Sequence, residues 1–163
     1  MEIGKNWKTI RRVFQETLSS SVHYSVATVN PDGSPHVTPI GALFLRGDRT
    51  GFFFDIFTRN MSANLERDPR ISVLAVISSV AFWQKSMLLG RCDVPPSVRL
   101  TGTAGKKRKP KPGELARWRK HVAFAKGMRG YDLLWKDMDW VRDITFDGFE
   151  PVYMGEMTRK AWK

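Results

Sequence analysis

The chain has 163 residues, of which 42% are hydrophobic and 26% charged, a balance that fits one globular domain and argues against a disordered or fibrous protein. A single cysteine, Cys92, excludes an internal disulfide framework and a cysteine-rich metal site. The 27 Lys and Arg against 16 Asp and Glu give a net +11, and +7 of that lies between Gly105 and Lys120, where eight bases face one acid, Glu114.

A basic surplus attracts anions, but the stretch KKRKPKPGE carries prolines and a glycine and reads as a solvated loop leading into a helix. No apolar run approaches the roughly 18 to 20 residues that span a bilayer. The stretch MEIGKNWKTIRR has bases with no apolar segment behind them, so no signal peptide is expected. The expectation is a cytoplasmic domain over 1–163, without membrane association, made of an N-terminal helix (1–20), a sheet, a basic loop with helical segments (105–140) and a closing hairpin (141–155).

In chain order, Trp7, Ile10, Phe14 and Leu18 recur at helical spacing, which predicts a helix over residues 6–18 with Asn6 as its cap. The period then changes to two, and Val22 to Val29 reads as a strand. Asn30-Pro31-Asp32-Gly33-Ser34 is turn chemistry, and residues 35–45 predict a returning strand. Its Pro35 and Pro39 cannot donate to a ladder, so it belongs at an edge or carries a bulge at Pro39. After the turn at 46–49, GFFFDIF (51–57) predicts an aromatic strand buried on both faces except at Asp55.

Residues 59–67 predict a short helix that stops before Asp68-Pro69, and Ile71 to Val80 a further strand. Residues 81–97 take no regular assignment, because Gly90, Pro95 and Pro96 interrupt their apolar pattern. Val98 to Ala104 returns to strand. Glu114 to Met128 reads as helix, Tyr131 to Trp140 as a short amphipathic piece, and 141–146 with 149–154 as a hairpin about Asp147-Gly148. The inventory is mixed and mainly β: six or seven mostly hairpin-connected strands, which favour a small antiparallel β-barrel with flanking α-helices.

There is no P-loop and no G-x-G-x-x-G, and His23, His36 and His121 stand apart without metal-ligand spacing. Chemical content concentrates where the aromatic strand gives way to a helix, with Thr58, Arg59, Asn60, Ser62 and Asn64 in succession. Free N–H groups at a helix start, with a guanidinium beside them, suit an anion; an ordinary helix cap uses the same residues.

The ordered set Asp32-Gly33-Ser34-Pro35-His36-Val37-Thr38-Pro39, then Asn64-Leu65-Glu66-Arg67-Asp68-Pro69-Arg70-Ile71-Ser72-Val73, then Val98-Arg99-Leu100-Thr101-Gly102-Thr103-Ala104 resembles the flavin-binding split-barrel family typified by pyridoxamine 5′-phosphate oxidase. The resemblance implies a homodimer with FMN between the subunits. It sets Thr38, Pro39 and Ile40 along one side of the flavin ring, Phe54, Asp55 and Phe57 on the neighbouring strand, and Thr58, Arg59, Ser62 and Asn64 around the phosphate. It also implies an FMN-dependent oxidoreductase acting on a small organic substrate, with a deazaflavin as the alternative cofactor and no side chain assigned as catalytic.

Two family cations are replaced, by Thr38 and Met61, and the H-x-R triplet that grips pyridoxamine phosphate is missing from the tail. Vitamin B6 oxidation is therefore not expected. Trp83, Trp135 and Trp140 are candidates for an aromatic lid, against core or interface roles. Two alternatives complete the reading: a nucleic-acid-binding module through residues 106–120, and a haem- or flavin-storing barrel without turnover, for which His36 or His121 would supply the axial ligand.

Overall fold

In the computed structural model, residues 2–159, 161 and 162 are described. Helix α1 (Ile3–Ser21) buries Trp7, Ile10, Val13 and Phe14 on the stripe expected from their spacing. It begins earlier than the sequence suggests. Asn6 is not its cap but lies buried inside it, donating its amide to Glu2 O at 3.2 Å.

Seven strands follow: β1 (Tyr24–Val29), β2 (Pro35–Ile40), β3 (Leu43–Leu45), β4 (Thr50–Phe54), β5 (Arg70–Val76), β6 (Ser97–Ala104) and β7 (Val141–Pro151). They form one antiparallel sheet in the order β2-β1-β5-β6-β7-β4-β3, curled into a half-barrel. The expected continuous strand over 35–45 is two strands, and they are the opposite edges of the sheet. Only Gly41 and Ala42 separate them, so the edges converge there. A Cβ at Gly41 would stand 2.8 Å from Val22 O, which explains why that corner takes glycine. The proline-bearing β2 pairs on one side only, as its missing N–H groups require.

The last expected hairpin is also corrected. Residues 141–151 are one strand, and the Asp147-Gly148 pair makes a bulge rather than a turn. Thr101 faces Gly148 while Gly102 faces Phe146, leaving Asp147 without a partner in the register. Both placements use the same tolerance of Asp-Gly for irregular backbone.

Helices cover the sheet: α2 (Arg59–Arg67), α3 (Val80–Leu89), α4 (Pro112–His121) and α5 (Arg129–Leu134), with a 3₁₀ turn at Ala123–Ala125. The three phenylalanines of β4 divide by the strand's period of two. Phe53 enters the barrel core with Ile10, Val73, Leu100 and Ile144. Phe52 and Phe54 point the other way, into a second apolar cluster with Phe44, Trp118 and Met138. That second cluster seats α4 and builds the site described next. None of the described helices is long and apolar enough to cross a membrane.

Candidate functional site

Between the converging edges and α4 lies a cavity of about 350 Å³. It is lined by Pro39 and Ile40 of β2, Phe54 of β4, Phe57 and Thr58 beyond that strand, and Trp118, His121 and Trp135. The aromatic lining is a chain of contacts. Trp118 sits 5.6 Å from Phe54, 6.0 Å from Trp135 and 5.8 Å from His121, centroid to centroid. Such tilted and edge-on packing holds each ring in one orientation. Among the lining residues, His121 is the one titratable group, and burial lowers its pKa, so it is neutral at pH 7. Val22, at the rim, has left-handed backbone (φ 57°), a costly conformation for a β-branched residue.

Five of the ten cofactor residues expected from sequence thus meet in one cavity: Pro39, Ile40, Phe54, Phe57 and Thr58. The other five do not line it. Thr38 is half-buried on β2 opposite Val26. Asn64 is buried and donates to Thr28 Oγ1 at 3.2 Å and Asn30 Oδ1 at 3.0 Å, tying α2 to the β1 turn. Arg59 is exposed at the first turn of α2 and forms no ion pair among the described residues.

Asp55 is the largest correction. Expected to be the exposed member of its strand, it is 1% exposed, whereas Phe57 is 62% exposed. Its position two residues after Phe53 turns it to the interior, where Arg142 meets it: Nε to Oδ2 is 2.6 Å, and Arg142 is itself 1% exposed. Arg142 also donates to Gly105 O at 3.0 Å and Glu66 Oε1 at 2.5 Å. Thr58 donates its hydroxyl to Asp55 Oδ1 at 2.9 Å, and Ser62 donates to Oδ2 at 3.0 Å. Lys107 Nζ stands 3.5 Å from the same oxygen.

This network decides how far the residues fit the implied cofactor. The cavity, apolar and lined by aromatic rings, suits a planar ring. The start of α2 fits a phosphate less well: Thr58 and Ser62 are already donors to a buried carboxylate, and Met61 is fully buried. What remains there for an anion is Arg59 and first-turn amides.

Three of the eight bases of the run, Lys107, Arg108 and Lys109, pair with acids. Arg108 bonds Asp143 Oδ2 at 2.6 Å and Glu114 Oε1 at 2.7 Å, and Arg46 adds 2.7 Å contacts to both carboxylates. Glu114 Oε2 accepts the Lys111 N–H at 2.8 Å, which caps α4. Lys109 lies over the Trp140 ring at 4.3 Å and 3.8 Å from Asp139. The stretch read as a solvated loop therefore fastens α4 over the cavity.

Burial opposes ionisation of Glu114, but bonds from Arg108, Lys111 N–H and Arg46 outweigh it and hold its pKa at about 2. Bonds from Arg108 hold Asp143 at about 2 as well. Both carboxyls ionise more readily folded than unfolded, so they stabilise the fold above their ordinary values, near 4, and that contribution is lost as pH falls toward 2. Thermal midpoints should drop across that window, and Glu114→Gln should flatten the drop; an unchanged slope in Glu114→Gln would refute the coupling.

Of the proposed lid tryptophans, Trp135 lines the cavity. Trp83 donates its indole N–H to Ile77 O at 3.0 Å on α3, and Trp140 is held by Lys109. His36 lies half-buried on the edge strand β2. Among the described residues no group of three His, Cys, Asp or Glu is placed to hold a metal ion. The sequence points to neither Trp118 nor Arg142 here, and it offers His121 only as an axial ligand for haem. Arg142 was readable in principle, since a period of two sets it on the same face of β7 as Ile144 and Phe146.

A family model described as pyridoxamine 5′-phosphate oxidase matches residues 10–145. No curated protein sequence matches the chain. Among solved structures, an FMN-binding protein from Syntrophomonas wolfei subsp. wolfei is similar, with TM-score 0.60 and 13% identity, covering 92% of this chain and 94% of that one. An F420 reductase gives TM-score 0.55 and 16% identity over 84% of this chain and 95% of that one. Atu2129, a protein of unknown function from Agrobacterium tumefaciens str. C58, gives 0.56 and 23% over 92% of this chain and 58% of that one.

Proposed function

The chain belongs to the pyridoxamine 5′-phosphate oxidase family, and from that premise we propose that it is a flavin-dependent oxidoreductase. In this reading it takes FMN or a deazaflavin, works as a homodimer and acts on a small organic substrate. The observation that carries the reading is the meeting of Pro39, Ile40, Phe54, Phe57 and Thr58 with an aromatic wall in one cavity. A volume near 350 Å³ is at the lower end for small-molecule sites, and the similar folds of an FMN-binding protein and an F420 reductase agree with it.

A bound flavin supplies two-electron redox chemistry at its ring. The chain's own part is placement. Pro39 and Ile40 would hold one side of a planar ring, and the packed Phe54, Trp118 and Trp135 group the other, excluding water. Neutral His121 can donate or accept one hydrogen bond inside the cavity. With no carboxylate, lysine or arginine among the lining residues, the site suits an uncharged, flat substrate better than a phosphate ester. The exposed Phe57, Phe124, Leu133 and Leu134 form the apolar surround that a second subunit would cover.

Because the ring supplies the affinity and the α2 hydroxyls are engaged, riboflavin should bind nearly as well as FMN. In a fluorescence titration, both flavins should be quenched, with affinities within about tenfold of each other, the span of one exposed charge-assisted contact. Arg59→Ala should bring FMN down to the riboflavin value and leave riboflavin unchanged. Binding of neither FMN, riboflavin nor a deazaflavin in the same titration would overturn the proposal.

A further inference from the structure

A second and larger groove, about 830 Å³, runs between α1 and α4. Its walls carry Lys8, Arg11 and Arg12 from α1 and Arg117, Lys120 and His121 from α4, and none of its lining residues is an acid. The floor is apolar, with Phe14, Leu18 and Phe44. This differs from the basic loop, whose charges face Glu114, Asp143 and Asp139. Among the described residues, Lys8, Arg11, Arg12, Arg117 and Lys120 form no ion pair, while their neighbours Lys5 and Arg46 do.

Arg117 shows what the arrangement costs. Its guanidinium is pinned 4.8 Å over the Phe44 ring and donates to Leu45 O at 3.1 Å. Burial, then repulsion from Arg11 and Arg46, lowers its pKa from the usual arginine value. A cation pinned beside other cations is stabilised by an anion from outside, and the exposed Arg117 guanidinium fork suits phosphate or carboxylate oxygens.

We propose that the groove between α1 and α4 binds an elongated small molecule bearing several phosphate or carboxylate groups in series. From Lys8 to Arg12, the cationic part of its side, α1 rises about 6 Å, the reach of two linked phosphate groups. The apolar floor accommodates the ligand's carbon skeleton. A concave site of this size takes a small ligand rather than a nucleic-acid backbone, which needs an open track of unpaired cations; the 106–109 run is no such track. The proposal stands whether or not the aromatic cavity holds a flavin.

Calorimetric titration with sodium tripolyphosphate and with citrate, at about 0.15 M ionic strength so that diffuse attraction is screened, separates the two anion chemistries. At least one should bind with one site per chain. Lys8→Glu with Arg11→Glu, both exposed, should weaken it by at least about tenfold, as expected for two lost charge-assisted contacts, with thermal unfolding unchanged. Lys106→Glu, outside the groove, should have no effect. Failure of both anions to bind, insensitivity to the α1 reversal, or tighter binding of a single-stranded oligonucleotide than of tripolyphosphate would each overturn the proposal.

Discussion

Arg142→Ala should destabilise the protein by about 3–5 kcal/mol, the cost of leaving a buried carboxylate without its partner. Asp55 and Arg142 are each 1% exposed and joined at 2.6 Å. Removing the guanidinium strands Asp55 and also releases Gly105 O and Glu66. Lys107, 3.5 Å away, and the hydroxyls of Thr58 and Ser62 remain, which sets the expected loss inside that range rather than beyond it. Asp55→Asn with Arg142→Met should recover part of the loss, since an uncharged pair has no desolvation penalty to offset. Denaturant midpoints measure both. A loss under about 1 kcal/mol in the single variant would mean that the pair is solvated in solution, contrary to its burial here.

Gly102→Ala is the second large effect. A Cβ there would stand 2.1 Å from Thr145 O and 3.0 Å from the Cα of Phe146. Those are backbone atoms of the adjacent strand, so no rotamer change relieves the contact. β7 must move away at the bulge, where the ladder with β6 is already irregular. Overpacking of this kind costs about 1–3 kcal/mol, and the loss of neighbouring ladder bonds puts Gly102→Ala at the upper end. Thermal unfolding of Gly102→Ala at fixed pH reads it directly; a midpoint equal to the wild type's would show that the two strands are further apart than described.

The same glycine shows what the sequence could and could not reveal. Val98-Arg99-Leu100-Thr101-Gly102-Thr103-Ala104 was recognisable as a strand and as part of a family pattern, but the reason for glycine is an approach by a strand more than forty residues away. Local periodicity carried α1, β1, α2, β5 and β6 to within a few residues. It failed where one dipeptide serves two geometries: Asp147-Gly148 makes a bulge here, while Asp32-Gly33 makes the turn, with Gly33 at φ 84°. It failed also at α3, whose ends were marked by Ser79, which accepts the Phe82 N–H, and by Gly90 at φ 62°. Its apolar residues lack one-sided spacing because Met87 and Leu88 are exposed.

The candidate site was half legible for a physical reason. Pro39, Ile40, Phe54, Phe57 and Thr58 lie near the junctions that bound the cavity, so a local motif locates them. Trp118, His121 and Trp135 reach it from a segment whose position is fixed by the Arg46, Arg108, Glu114 and Asp143 cluster. No local pattern announces that cluster. Asp55 was misplaced because polarity argued for exposure, and only a partner from β7 reverses that preference.

In the function proposed above, a flavin ring lies between β2 and α4. A crystal structure of the protein grown with FMN tests it most directly. The isoalloxazine ring should lie between Pro39–Ile40 and Trp118, with His121 at its edge. A ring bound elsewhere, or a cavity closed by its own tryptophans at saturating FMN, would contradict it.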